Sequence, residues 1–546
     1  MIRRFVFLLV AAAALSPAAP GAQAPARPPA TADYDLVVRH GRVLDGMGNP
    51  WIRADVAVSG GRIVRVGRVT GRGRQEIDAT DRYVSPGWID MMDQSGAALP
   101  VNGLAQNKLR MGVTTAIGGE GGTPVPAAGI ADYFATLERQ GISINFGTYF
   151  SEAQARTAVL GNTARAPNPD ELTRIQDLMA TAMKAGAMGM TTALIYPPSS
   201  FASTEELVAV ATVAARYGGI YASHMRDEGP RLLEAVDEAI AIGERAGLPV
   251  EIFHLKAAFQ PGWGTLMAKA GAAIEAARAR GVDVAADLYV YTAGGTGLEA
   301  TIPTWAQEGG RAALIERLAN PEVRARLKRE IQSGLPGWSN MVEAAGGWTG
   351  IVLSNARNAA NAQYEGQTIA AIATARGVDP ADAAFDLVAQ GDGRVMAIFH
   401  MMSEPDIETA LRFPWTSIGS DAGAAVSDGG QDPTGLTHPR AYGNFPRVIA
   451  RYARDRGVLT LPEAIRKMTS WPATRMRLEG RGSLKEGHWA DVVVFDLATL
   501  DDAATYEAPR TSPRGIDYVI VNGQVVIDHG RHTGARPGAV LYGPGR

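Results

Sequence analysis

Gly219-Ile220-Tyr221-Ala222-Ser223-His224, a helix candidate from 230 to 246, and then Val250-Glu251-Ile252-Phe253-His254 form the unit from which the fold is read. Two short apolar runs of strand character flank a helix-length segment, and each run ends on a histidine. Strand, helix, strand is the grammar of parallel strands joined by helical crossovers. The pattern continues outward, to Thr114-Thr115-Ala116-Ile117 upstream and Val282-Asp283-Val284-Ala285-Ala286-Asp287 downstream, with further helix candidates at 168–185 and 203–217. Over residues 87–478 this alternation predicts an α/β fold, a TIM-like (β/α)8 barrel. Between 293 and 350 it gives way to Arg/Lys/Ala-rich helical sequence with a glycine-rich end, read as an insertion over the barrel mouth.

The two ends of the chain read differently. Tyr34–Gly46 is a strand closing in a glycine turn, and Arg53–Gly67 is a hairpin around Ser59-Gly60-Gly61. Ala490–Asp496 and Tyr518–Ile527 repeat that style, so 33–86 and 479–546 are expected to assemble one small β-sandwich. Ahead of it, Met1-Ile2-Arg3-Arg4, the apolar run Phe5–Leu15 and Ala22-Gln23-Ala24 have the layout of a cleaved secretory signal over 1–24, with a Pro/Ala-rich, disordered lead-in at 25–32. The apolar run is shorter than the ~20 residues of a spanning helix. With 0 cysteines there is neither a lipoprotein anchor nor a disulfide framework. The expected location is therefore periplasmic or secreted, without a membrane anchor. A formal charge of −3 on 546 residues gives no reason to expect nucleic acid or an anionic membrane surface as partner.

Four residues carry chemistry. Consecutive barrel strands end at one mouth, so His224 and His254 can share a metal there. Asp421, in Trp415-Thr416-Ser417-Ile418-Gly419-Ser420-Asp421, again closes an apolar run and can bind metal weakly or shuttle a proton beside it. Glu120 lies in Gly118-Gly119-Glu120-Gly121-Gly122, where glycines let the backbone approach a ligand and the carboxylate supplies a hard donor. A lone histidine is more often a core or surface residue than a ligand; two of the chain's 8 at the ends of adjacent strands change those odds. In Pro86-Gly87-Trp88-Ile89-Asp90-Met91-Met92-Asp93-Gln94, Met92 reads by default as barrel filler and Gln94 as a hydrogen-bonding residue.

Gly87-Trp88-Ile89-Asp90, Gly112-Val113-Thr114-Thr115, Tyr196-Pro197-Pro198, Ser223-His224-Met225-Arg226, His254-Leu255-Lys256, Tyr289-Val290-Tyr291 and His438-Pro439-Arg440 occur in an order that resembles the N-acyl-D-amino-acid deacylases of the amidohydrolase superfamily. Arg481–Val493 is also typical of that superfamily, and the likeness spans 34 to 530. The resemblance implies a (β/α)8 barrel with a sandwich from both termini. It also implies one tight zinc, held by a cysteine after strand three and by histidines from strands five and six. A second, weaker site uses His-x-His on strand one and the strand-eight aspartate. Here the cysteine is absent, its loop offering Glu120 (or Gly121 if the alignment slips by one), and His-x-His is replaced by Met92 and Gln94. A strand-three glutamate with two histidines resembles the N-acetylglucosamine-6-phosphate deacetylases, some of which lack His-x-His and work with one metal. The resemblance thus implies one zinc, or another divalent ion, on Glu120, His224 and His254, with Asp421 as proton shuttle. Lys256, Tyr291 and Arg440 match positions that hold the substrate carboxylate, and Gln94 is left to hydrogen-bond water or substrate. The expected activity is hydrolysis of the linear amide of an N-acyl-(D-)amino acid, a small-molecule substrate. Its alternatives are a dipeptidase or other C–N hydrolase on the same site, and a non-catalytic binding protein with a degenerate site.

Overall fold

Parallel strands buried on both faces read as mainly apolar runs rather than alternating ones, and the strands within the runs that set the reading above are buried along their length, with Glu251 and Asp287 as buried charged exceptions. The computed structural model describes Met1, residues 32–425 and residues 435–546. Five strands precede the barrel: β1 (Tyr34–Val43), β2 (Ile52–Ser59), β3 (Arg62–Gly67), β4 (Gly73–Asp78) and β5 (Tyr83–Pro86). The staves begin with β6 (Trp88–Asp93), β7 (Val113–Gly118) and a third stave broken at Tyr149 into β8 (Asn145–Thr148) and β9 (Phe150–Ser151). They continue with β10 (Gly189–Ala193), β11 (Ile220–His224), β12 (Val250–Ile252) and β13 (Val284–Leu288). Every residue of β6, β7, β11, β12 and β13 is buried.

After β13 the chain leaves the barrel for β14 (Gly294–Gly297), β15 (Ile351–Asn355) and β16 (Met396–Phe399), an antiparallel three-stranded sheet in the order β14-β16-β15. With its helices it encloses its own core, including Leu298, Leu353, Phe385 and Phe399. The excursion therefore extends well past the expected end at residue 350, because β16 pairs with β14 on one side and β15 on the other, and none of the three pairs with a stave. The last stave is β17 (Thr416–Ile418), which runs parallel to β13. Closure comes from Asp421 N donating to Met92 O on one side, and from Tyr149 N donating to Gly118 O and Met188 N to Thr148 O on the other.

The crossover helices start where short polar side chains can take the free N–H groups of the first turn. Asn168 and Glu171 form a reciprocal capping box on Pro169–Lys184, and Ser203 accepts from Glu206 N ahead of Thr204–Arg216. Such a cap is worth about 1 kcal/mol. The helix after β11, Leu232–Ala246, stops at Gly247, whose φ of 73° suits glycine.

The remaining strands are β18 (Val492–Phe495), β19 (Ile516–Val521), β20 (Gln524–Asp528) and β21 (Arg531–His532). The two chain ends meet where β5 pairs antiparallel with β18, Val84 opposite Val494, so one nine-stranded sheet carries both termini of the β-unit. Val38, Val56, Val58, Val84, Val492 and Val494 fill its core. The final residues leave this unit: Gly538 and Val540 bridge to Ile142 and Phe146, lining the barrel wall beside β8. The signal and lead-in expected over 1–32 lie, Met1 and Ala32 apart, outside the described residues. No helix among the described residues is long and apolar enough to cross a membrane.

Candidate metal centre

The C-terminal ends of the staves open into a cleft of about 620 Å3, roofed by the excursion between β13 and β17. His224 is the last residue of β11. His254 lies just past β12, with φ of 37°, and Asp421 just past β17, with φ of 48°. Left-handed backbone at residues other than glycine persists only where its surroundings hold it. Asp287 Oδ1 accepts from His254 N at 2.8 Å, and Met92 O accepts from Asp421 N at 2.9 Å.

Glu120 comes from the Gly118–Gly122 loop after β7. A Cβ at Gly119, whose φ is 105°, would lie 2.9 Å from Thr148 Oγ1, so the turn that aims Glu120 requires glycine there. This loop follows the second stave, not the third, correcting the strand count that the resemblance implied: Trp88–Asp93 is stave one and Val113–Gly118 is stave two.

Glu120 Oε1 stands 2.7 Å from His224 Nδ1 and 3.2 Å from His254 Nε2, and the two rings cross at 83°. Among the described residues, these three side chains bring donor atoms within 4.8 Å of one another. Burial is the largest influence on the Glu120 carboxyl and pushes its pKa up. The hydrogen bonds from the two imidazoles and their charge outweigh it, leaving Glu120 well below the usual carboxylate range. Burial and Lys256 oppose protonation of His254, yet Glu228 and Glu120 raise it to about 9. A hard carboxylate oxygen and two imidazole nitrogens converging from different staves form a donor set that could hold a divalent metal ion and leave a coordination position open.

Asp421 lies beside this triad. Its Oδ2 is 2.7 Å from Arg440 Nη1. Burial lifts its pKa and Arg440 pulls it back, leaving it above the ordinary aspartate value. Arg440 is itself buried, its guanidinium 4.5 Å from the Tyr289 ring centroid, with Nη2 donating to Gly295 O. Gln94 donates through Nε2 to Glu120 Oε2 at 2.6 Å and reaches Asp421 Oδ1 at 3.4 Å, joining two carboxylates across the cleft floor. Met92 turns the other way, into the barrel core with Ile117, Tyr149 and Phe253. Lys256 faces the cleft, its Nζ 2.5 Å from Glu228 Oε1.

Tyr291 does not line the cleft. Its hydroxyl donates to Asp502 Oδ2 and its ring lies under Arg447. Tyr289 lines the cleft instead, because the stave ends at Leu288 and the alternation of an extended strand no longer applies beyond it.

Three further groups escaped the sequence reading. His438 Nδ1 accepts from Arg440 N while Nε2 donates to Ala293 O, and burial keeps this imidazole neutral. Lys108 is fully buried, 2.9 Å from Asp90 and 2.8 Å from Asp93, and donates to Ser420 Oγ, so one ammonium pins stave one to the turn that carries Asp421. Glu228 is the third. Two sequence signals were available: the place of Asp90 in Gly87-Trp88-Ile89-Asp90 and that of His438 in His438-Pro439-Arg440, to which no role was given.

A sequence profile of the Amidohydrolase family matches residues 75–527. The chain belongs to the amidohydrolase family. This amidohydrolase is thus a hydrolase of carbon–nitrogen bonds. It is 33% identical to a D-aminoacylase of Alcaligenes xylosoxydans xylosoxydans over 93% of this chain and 97% of the relative. A solved D-aminoacylase superposes with a TM-score of 0.78 at 31% identity, covering 93% of this chain and 100% of that one; its binuclear metal centre shows one-metal activation and second-metal attenuation. The N-acyl-D-glutamate deacylase of Bordetella bronchiseptica, solved with zinc and a phosphonate mimic of the tetrahedral intermediate, gives a TM-score of 0.78 at 29% identity over 93% and 99%.

Proposed function

We propose that this amidohydrolase is an exported, zinc-dependent deacylase of N-acyl-D-amino acids that works with one metal on Glu120, His224 and His254. The observation that carries the reading is the meeting, in one cleft, of this three-ligand set with the Asp421–Arg440 pair. It is supported by the similarity to a D-aminoacylase and an N-acyl-D-glutamate deacylase along nearly their whole lengths. A metal held there supplies Lewis-acid polarisation of the amide carbonyl and acidifies water.

The chain's own residues do the rest. Asp421, a stronger base than an ordinary aspartate, accepts a proton from the attacking water and returns it to the amide nitrogen as the C–N bond breaks. Arg440, buried in the cleft wall beside Asp421, offers a planar fork to the substrate carboxylate, with Lys256 as a second cation. Tyr289 supports the guanidinium from below. Gln94 keeps the free oxygen of Glu120 directed away from the imidazoles.

A single metal fits the stave-one residues. Met92 is committed to the core, and the Gln94 amide directs its N–H groups at two carboxylates, where a second cation would need acceptor oxygens or nitrogens. The D-aminoacylase with one-metal activation supplies a precedent. Export rests on the charged, apolar and small-residue order of the first 24 residues.

The test is metal content by elemental analysis together with hydrolysis of a panel of N-acyl-D- and N-acyl-L-amino acids. One zinc per chain and turnover of the D series are expected. A zinc-free protein, or a zinc-loaded one that cleaves no member of the panel, would overturn the proposal.

A further inference from the structure

Each imidazole at the centre has two ring nitrogens, and the fold shares them between two carboxylates. Glu120 takes His224 Nδ1 and His254 Nε2. On the far side, Glu228 Oε1 lies 2.8 Å from His254 Nδ1, and Glu228 Oε2 lies 3.7 Å from His224 Nε2. That His224 nitrogen is buried and has no hydrogen-bond partner, and Glu228 is the carboxylate it faces. Glu228 is 4% exposed, in the turn that leaves β11. The turn is held by Asp227 Oδ1 accepting from Gly229 N and by Glu228 O accepting from Ala258 N. Lys256 Nζ completes the group, 2.5 Å from Glu228 Oε1 and 2.6 Å from His254 Nδ1.

Proton accounting fixes what this arrangement does. A ring nitrogen that ligates a metal uses its lone pair, so the other nitrogen carries the proton. With His224 Nδ1 and His254 Nε2 turned to the Glu120 side, both remaining N–H groups point at Glu228. Lys256, which has only protons to offer, cannot then donate to His254 Nδ1. It keeps Glu228 and the open cleft.

We propose that Glu228 is a positioning residue for the metal centre, the outer carboxylate that fixes the tautomer and orientation of both histidines and anchors the Lys256 ammonium at the cleft wall. The inference rests on the three-ligand reading of the site.

The experiment is Zn2+ affinity by competition with a fluorescent chelator, without substrate. Glu228→Leu alone would leave Lys256 charged, buried and unpaired, so the informative variant is Glu228→Leu combined with Lys256→Met, with Lys256→Met alone as reference. Lys256→Met is expected to stay within about threefold of wild type, and the double variant to bind zinc about 10- to 100-fold more weakly, the usual cost of losing such a partner. Combining Glu228→Gln with Lys256→Met keeps the shape and an acceptor oxygen without the charge and should recover only part of that loss, whereas a purely space-filling role predicts full recovery. Equal affinity in Lys256→Met and the Leu/Met variant overturns the inference, as does a full loss already in Lys256→Met. Wild-type protein that takes up no zinc instead removes the ligand reading beneath it.

Discussion

Replacing Arg440 with methionine keeps a buried stem of similar reach and removes the guanidinium, which on the reading above serves two anions. The first is the substrate carboxylate. Truncating one partner of a buried, hydrogen-bonded charge pair costs about 2–5 kcal/mol. At about 1.4 kcal/mol per factor of ten, that is a fall of roughly thirtyfold to several thousandfold in kcat/KM. The second anion is Asp421, whose Oδ2 lies 2.7 Å from Arg440 Nη1. Burial already raises the Asp421 pKa, and Arg440 is the strongest influence holding it down. Asp421 must be ionised to accept a proton, so losing Arg440 moves the acid limb of the pH–rate profile to higher pH. The assay is kcat/KM, as a function of pH, for an N-acetyl-D-amino acid and its C-terminal carboxamide, with wild type and variant. If Arg440 grips the carboxylate, the acid substrate suffers the full loss while the carboxamide loses only the part due to Asp421. Equal losses on both substrates would refute the carboxylate role, and an unmoved acid limb would refute the coupling to Asp421.

Asp421→Asn should leave zinc content close to one per chain while lowering kcat about 10²- to 10⁴-fold, the usual contribution of a positioned acid–base group; elemental analysis and turnover on one sample check both halves. Glu120→Ala should cut bound zinc below one per chain and abolish activity, and unchanged zinc content would remove Glu120 from the ligand set. Away from the cleft, burial first, and then Glu206, raise the Glu152 carboxyl to about 8 from an ordinary value of 4.5. A raised folded-state pKa means that this group's contribution is fully present below about pH 4.5 and is lost as pH rises through about 8. Glu152→Gln should therefore flatten the fall in stability across that window, read from urea midpoints; a wild-type slope unchanged in the variant would contradict the assignment.

The barrel was legible because its staves are short apolar runs buried on both faces, a composition that needs no partner to be recognised. His224, His254 and Asp421 were legible for a related reason. They are polar groups at the ends of such runs, and all stave ends in this fold share one mouth. Glu120 was marked by the glycines around it, though its stave number became clear only from the order in which the strands pair. Tyr291 was misplaced by two residues because its side-chain direction depends on where β13 stops, and strand ends are set by neighbouring strands.

What the sequence by itself determined is the set of elements and the class of chemistry: the repeat that closes a barrel, and the imidazole and carboxylate donors placed where its strands end. The tertiary structure decided everything that depends on distant segments meeting. Lys108 reaches Ser420, Arg440 reaches Asp421, and Glu228 reaches both Lys256 and His254. No local pattern marks these pairings, even where a motif marks one partner, because a buried charge is tolerated only where chain closure brings it a counterpart. The same closure gives the departure at Met92 and Gln94 its meaning, sending one side chain into the core and the other onto the carboxylates of the cleft floor.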